Sequence, residues 1–307
     1  IAYRGGYAGA GEADPDHRDI DLYPTIVSGN IDGGGLGGNS YHVFKAQNAN
    51  QSAILEGFVV TEGNANGSPG SQRDRGGGLY IDSGAPTIRR CAFVGNKAVY
   101  GAGVHTTSGT FIDCYFDANE ADTHGGGAVA FNALFVGCWF EANRAYNGGA
   151  IEDLLLTEMV NCTFVENTGY SRGSAVHSEA TSGVTTMTNC LVRDNNFGTS
   201  AIYTTTGITV LNSIIRENGG AEISGPATVA YSNIQHGYAG AGNIDEDPQF
   251  VDASGGDFRL APGSPCIDAG NSNALPADDH DLDGDGDTNE PIPFDADGLA
   301  RFVDDPD

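Results

Sequence analysis

The residues with the plainest chemistry stand near the C-terminal end of the chain. Asp279, Asp281, Asp283, Asp285 and Asp287 alternate along it, with Gly284 at the sixth place counted from Asp279 and Glu290 at the twelfth. That is the spacing of a calcium loop: oxygen ligands fall at alternate positions, a bidentate Glu closes the set, and Gly permits the sharp turn. Calcium takes six to eight hard oxygens, and clustered carboxylates supply them while their mutual repulsion is relieved. Gly286 replaces the usual apolar residue, and Pro291 and Pro293 forbid an ordinary exiting helix. The expectation is therefore an isolated Ca2+ loop of Asp279, Asp281, Asp283, Asp285, Asp287 and Glu290. A register starting at Asp281 and a solvated acidic linker are the competing readings, and Asp295 and Asp297 are lesser candidates for a second ion.

Catalytic chemistry has weaker support. Abstraction of a proton beside a uronate carboxylate needs a Lys or Arg base, and a hydrolase needs two carboxylates ~5 to 9.5 Å apart. Lys97 and Arg144 lie in turns of different repeats without a convergent acidic cluster. Glu152 and Asp153 stand where neighbouring repeats place His105 and His177, which predicts a polar patch on one strand face. An ordinary solenoid face is the weightier reading of that patch. Tyr3, Tyr7, Tyr100 and Tyr146 are candidates for stacking on sugars. No catalytic residue and no residue binding an organic cofactor is assigned.

These groups must be positioned by a repeat. Cys91, Phe93 and Asn96 begin a phrase that returns as Cys114, Phe116 and Asn119, as Cys138, Phe140 and Asn143, and as Cys162, Phe164 and Asn167. It decays through Cys190, Val192 and Asn195 to Ser213, Ile215 and Asn218. A Gly-rich phrase precedes each, as at Gly77 to Tyr80, Gly101 to Val104, Gly126 to Val129 and Gly148 to Ile151, and a middle apolar run lies between. Repeats of 23 or 24 residues with three short strands leave no room for a helix. A parallel β-helix remains, each strand pairing with its counterpart one coil away. The residue before each repeat Cys, or before Ser213 in its place, is Asp113, Gly137, Asn161, Asn189 or Asn212, types that tolerate a left-handed corner, with Arg90 the exception. Cys and Phe, two residues apart, should then point inward and stack.

Thiols stacked at the ~4.8 Å strand spacing are too far apart for the ~3.8 Å Cβ separation of a disulfide. They are expected to be reduced and buried. With 41 Asp and Glu against 14 Lys and Arg, the net charge of −27 disfavours nucleic acid and anionic membrane surfaces as partners and favours divalent cations. No run approaches the ~18 apolar residues of a membrane span, and the start at Ile1 reads as a processed or trimmed fragment.

The expected organisation is a single all-β solenoid over residues 1–242, with irregular first coils at 1–40 and regular repeats at 76–218. Residues 64–75 read as an inserted loop. Residues 243–307 form a turn-rich, acidic C-terminal cap that carries the calcium-type loop and closes the open end.

Phe140 and Asn143 followed by Gly148, Gly149, Ala150 and Ile151 resemble the repeats of chlamydial polymorphic outer-membrane proteins. Together with Asp247-Pro-Gln-Phe-Val, Leu260-Ala-Pro-Gly-Ser-Pro-Cys-Ile-Asp-Ala-Gly270 and Phe294-Asp-Ala-Asp-Gly298, they are more similar still to right-handed parallel β-helix proteins abundant in planctomycetes and related bacteria, which have a pectate-lyase-like scaffold. The resemblance covers about residues 41 to 307. It implies a right-handed solenoid, located outside the cell or on its surface, with a structural or adhesive role. The partners it implies are an extracellular glycan, a surface protein, or further copies in an oligomer or filament. The alternative is a carbohydrate-active enzyme, a polysaccharide lyase or glycoside hydrolase, or a non-catalytic glycan-binding module on the same scaffold.

Overall fold

The corners decide the fold. In a computed structural model, which describes residues 1–31, 33, 34, 36–181, 183–278 and 285–293, the residue before each repeat Cys, and before Ser213 in the equivalent place, is left-handed. Asp113, Gly137, Asn161, Asn189 and Asn212 have φ between 49° and 60°, and Arg90, despite its type, has 50°. A second left-handed residue precedes each Asn: Gly95, Ala118, Ala142, Glu166, Asp194 and Glu217. Ala and Glu pay about 1 kcal/mol or more to stand there, so their neighbours must hold them. Between the two bends only a three-residue strand fits, such as Tyr115–Asp117 or Trp139–Glu141.

Those strands pair in parallel, one coil on the next, in a nine-stranded sheet. Phe93, Phe116, Phe140, Phe164, Val192 and Ile215 fall in one register column, and all are fully buried. The rings stack at 5.2, 4.4 and 5.0 Å. A second stack, Phe111 on Phe135 at 4.8 Å, comes from the middle strands and meets the first edge-on, Phe135 lying 5.6 Å from Phe140. Edge-to-face contact suits the ring quadrupoles. The five repeat cysteines are free and buried. Their Sγ–H groups donate to carbonyls of the preceding coil, as Cys138 does to Phe111 at 3.4 Å and Cys162 to Phe135 at 3.4 Å. Burial pushes the Cys91 thiol up to about 12, and buried free cysteines pack as small apolar groups.

Asn holds the second bend. Asn119 donates through Nδ2 to Phe93 O at 2.8 Å and to Asn143 Oδ1 at 2.9 Å. Its backbone N–H donates to the same Asn143 Oδ1 at 3.1 Å. Asn96, Asn143, Asn167 and Asn195 repeat the arrangement, and all five of these side chains are completely buried.

After Asn96, Asn119, Asn143 and Asn167 runs a strand that no sequence periodicity announces: Lys97–Tyr100, Glu120–His124, Arg144–Asn147 and Thr168–Arg172. With Asn64–Ala65 they form a five-stranded parallel sheet. The Gly-rich phrases and the middle runs share the third, fifteen-stranded sheet, joined where Ala128–Val136 and Ile151–Val160 continue from one into the other. Two registers differ from expectation, and in the first Leu79, not Tyr80, pairs with Val104. Ala128, not Val129, pairs with Ile151, because the extra glycine of the Gly125 to Gly127 run moves the core position back by one residue.

The first coils use the same sheets: Ala2–Arg4 pairs with Ile54–Glu56, and Thr25–Ser28 with Phe58–Thr61. At the other end Ile244 bridges to Asn233. The chain then returns along the outside of the nine-stranded sheet. Phe250–Asp252 and Asp257–Leu260 form an antiparallel pair, Phe258 stacks on Trp139 at 5.8 Å, and the Arg193 guanidinium covers both Phe250 and Phe258. No helix among the described residues is long and apolar enough to cross a membrane.

Candidate functional site: the corner between two sheets

The five-stranded sheet ends at Gly101, Gly125, Gly148 and Gly173, all left-handed with φ of 59° to 63°. At Gly148 a Cβ would come within 2.4 Å of Ile151 O. The tight turn sets two register columns side by side. The first holds the strand ends Tyr100, His124, Asn147 and Arg172. The second holds Tyr80, His105, Val129, Glu152, His177 and Tyr203 on the fifteen-stranded sheet.

Where the columns meet, His124, Glu152 and His177 converge. His177 Nδ1 lies 2.6 Å from Glu152 Oε2, and His124 Nδ1 lies 3.4 Å from Glu152 Oε1. Glu152 and His177 are wholly buried, whereas the His124 side chain is 34% exposed. The Glu152 carboxylate holds His124 above the ordinary imidazole range. Behind the cluster, Glu179 Oε1 stands 3.4 Å from His177 Nε2, and Arg172 approaches Glu179 at 3.9 Å. Tyr100 stacks on the His124 ring at 5.8 Å, Tyr203 packs on His177 at 5.4 Å, and Arg172 covers Tyr203 at 4.9 Å. A buried carboxylate between two imidazoles can move a proton or hold a cation.

The predicted polar patch is thus divided by the structure. Glu152 does meet His177, but Val129 intervenes between Glu152 and His105 in the column. His105 is instead enclosed by Tyr80 and Phe131. Asp153 points the other way, inward, and its carboxylate accepts from Thr157 Oγ1 at 2.7 Å, Ser178 Oγ at 3.1 Å and Thr185 Oγ1. Lys97 is taken up by Glu120 at 2.7 Å, and Glu120 pairs in register with Arg144, so neither cation faces the cluster. Sequence reasoning missed His124, Glu179, Arg172 and Tyr203 as members of this site. His124 lies on the strand without a sequence signature, and only the Gly corner brings it to Glu152.

Of the calcium-loop residues, Asp279, Asp281 and Asp283 lie outside the described residues. Asp285 Oδ1 accepts from Asp287 N at 2.7 Å, and Asp287 Oδ1 accepts from Asn289 N at 2.9 Å. Asp278 N donates to Glu290 O at 2.7 Å. A cavity of about 720 Å³ lies elsewhere, between the nine-stranded sheet at Trp139, Leu191 and Ile214 and the returning segment at Phe250 and Phe258.

The model of the right-handed β-helix region matches residues 49–230, more than half of the chain. No curated protein and no solved structure matches it.

Proposed function

This chain belongs to the right-handed β-helix family, and we propose that it is an extracellular or cell-surface scaffold that adheres to an extended glycan. One observation carries this reading. Tyr146, Tyr170 and Phe197, on three successive coils, stand 55%, 58% and 65% exposed, with Tyr170 and Phe197 6.1 Å apart. Single exposed rings are ordinary, but an aligned apolar row rimmed by polar groups marks an interaction surface. Phe197 is also left-handed at φ 64°, an outlier for so bulky a residue, and strain of this kind gathers at functional positions. The CH face of a pyranose matches an aromatic ring, and coil spacing repeats that platform along the axis as a polysaccharide requires.

The test is retention of the whole chain on polyuronate and neutral glycan gels and arrays. Tyr170→Ala is expected to weaken binding about tenfold with unchanged melting temperature, since the ring is exposed. Retention by no glycan, or equal retention of the variant, defeats the reading. The burial of Glu152 between two imidazoles favours a second one, a polysaccharide lyase or glycoside hydrolase. Unsaturated product or new reducing ends, lost in Glu152→Gln, would select it.

The same reading gives the acidic segment a structural Ca2+, held by Asp279, Asp281, Asp283, Asp285, Asp287 and Glu290, whose all-oxygen donor set suits a hard cation. Chelation is expected to lower the melting temperature and to speed proteolysis around residues 279–290, with calcium restoring both. Identical melting and cleavage with and without calcium would remove the ion from the account.

A further inference from the structure

We propose that His124, Glu152 and His177 form a site for one divalent transition-metal ion of the zinc type. Three side chains each offer a ligand atom, and the three atoms lie within 4.8 Å of one another. A tetrahedral ion with bonds near 2.0–2.1 Å places its ligand atoms about 3.4 Å apart. The His124 Nδ1 to Glu152 Oε1 separation is 3.4 Å. His177 Nδ1, at 2.6 Å from Glu152 Oε2, reaches that spacing by a small rotation of the carboxylate.

Unmet polarity is the second, independent sign of a ligand. Glu152 is fully buried, and its Oε1 and the His124 Nδ1 that faces it at 3.4 Å form no hydrogen bond with each other or with any other group among the described residues. Burying a carboxylate oxygen without a donor is costly, and a cation between these two atoms satisfies both at once. The surroundings suit an ion as well. Metal-bound imidazoles characteristically turn their other nitrogen to a carboxylate, which fixes the ring and raises its basicity. His177 Nε2 lies 3.4 Å from Glu179 Oε1 without a hydrogen bond to it, close enough for Glu179 to take up this second-sphere place, and Glu179 is itself approached by Arg172. Tyr100 and Tyr203 hold the two imidazole planes.

Two nitrogens and one carboxylate exclude calcium, which wants oxygens only, and fit Zn2+. Three protein ligands leave one coordination position open, on the side where His124 reaches solvent. The ion would join the five-stranded sheet to the fifteen-stranded sheet across successive coils. The inference stands apart from the glycan reading, because the aromatic row contributes no ligand.

The experiment is titration of the whole chain with Zn2+ in excess Ca2+, which occupies acidic surface sites, followed by Co2+ substitution as a spectroscopic probe. One Zn2+ per chain is expected, with affinity falling at least 100-fold in His124→Gln and in Glu152→Gln, and tetrahedral d–d bands from Co2+ that both variants lose. His124→Gln serves as the folding control, because the side chain is partly exposed and should melt with chelator-treated wild type. Absence of stoichiometric binding overturns the proposal. So does binding undiminished in both variants, or an octahedral cobalt spectrum.

Discussion

Replacing Asn143 with alanine is expected to lower the unfolding free energy by about 3–5 kcal/mol, more than most single substitutions in a chain of this size. The side chain occupies the middle of a buried row. Its Nδ2 donates to Phe116 O at 2.8 Å and to Asn167 Oδ1 at 3.0 Å, while its Oδ1 accepts from the backbone and the side chain of Asn119. Truncation removes these bonds and strands several polar groups where water does not reach, at about 1–3 kcal/mol for each group left unsatisfied. It also releases Ala142, which is left-handed at φ 53°. Asn218→Ala, at the partly buried end of the row, should cost much less. Urea unfolding followed by circular dichroism decides the matter, with the midpoint as readout if stacked coils unfold in stages. Equal losses at positions 143 and 218 would show that the row does not act as a buried unit.

Acidification is expected to destabilise the protein through His105. The ring is enclosed by Tyr80 and Phe131, and burial pushes its pKa from 6.5 down to about 3, with Arg75 and His42 adding repulsion and Asp82 opposing it. The folded state therefore resists a proton that the unfolded chain accepts. Stability contributed by neutral His105 is fully present above the unfolded value and is lost as pH falls from about 6.5 towards 3. Between pH 7 and pH 4 the loss is about 3 kcal/mol. His105→Leu removes this titration and leaves the protein's other acid-labile groups in place. The difference between the two pH profiles should thus reach about that size, whatever the absolute stability of the variant. Parallel profiles would place the acid sensitivity elsewhere.

The fold was legible because its strongest constraints are local and repeated. Cys138 and Phe140 must share a face at a spacing of two, and Gly137 or Asn161 before a Cys states a left-handed corner by residue type alone. Ala118, Ala142 and Glu166 state nothing of the kind, yet they are equally left-handed. Their conformation is imposed by the Asn that follows, whose partners lie one coil away. The candidate site was legible by half for the same reason. Glu152 and His177 occupy equivalent places in adjacent repeats, so counting brought them together. His124 reaches Glu152 from a different sheet around a Gly corner, a relation that periodicity along the chain does not encode. Val129 shows the reverse failure: one additional glycine shifted the apparent phrase while the backbone ladder kept its own register.

The Asn row also has a direction in time. Each side-chain oxygen serves the coil before it, from Gly63 N on Asn96 Oδ1 through to Asn195 N on Asn218 Oδ1. A coil leaving the ribosome therefore carries an unanswered N–H until the next one arrives to receive it. The growing C-terminal face is always the hungry one, and the finished N-terminal face is not. The neighbouring Cys column ends on the same device, since Ser213 Oγ, Ser232 Oγ and Asn243 Oδ1 accept from the backbone N–H of Cys190, Ser213 and Ser232, so there too each late coil answers the one made before it.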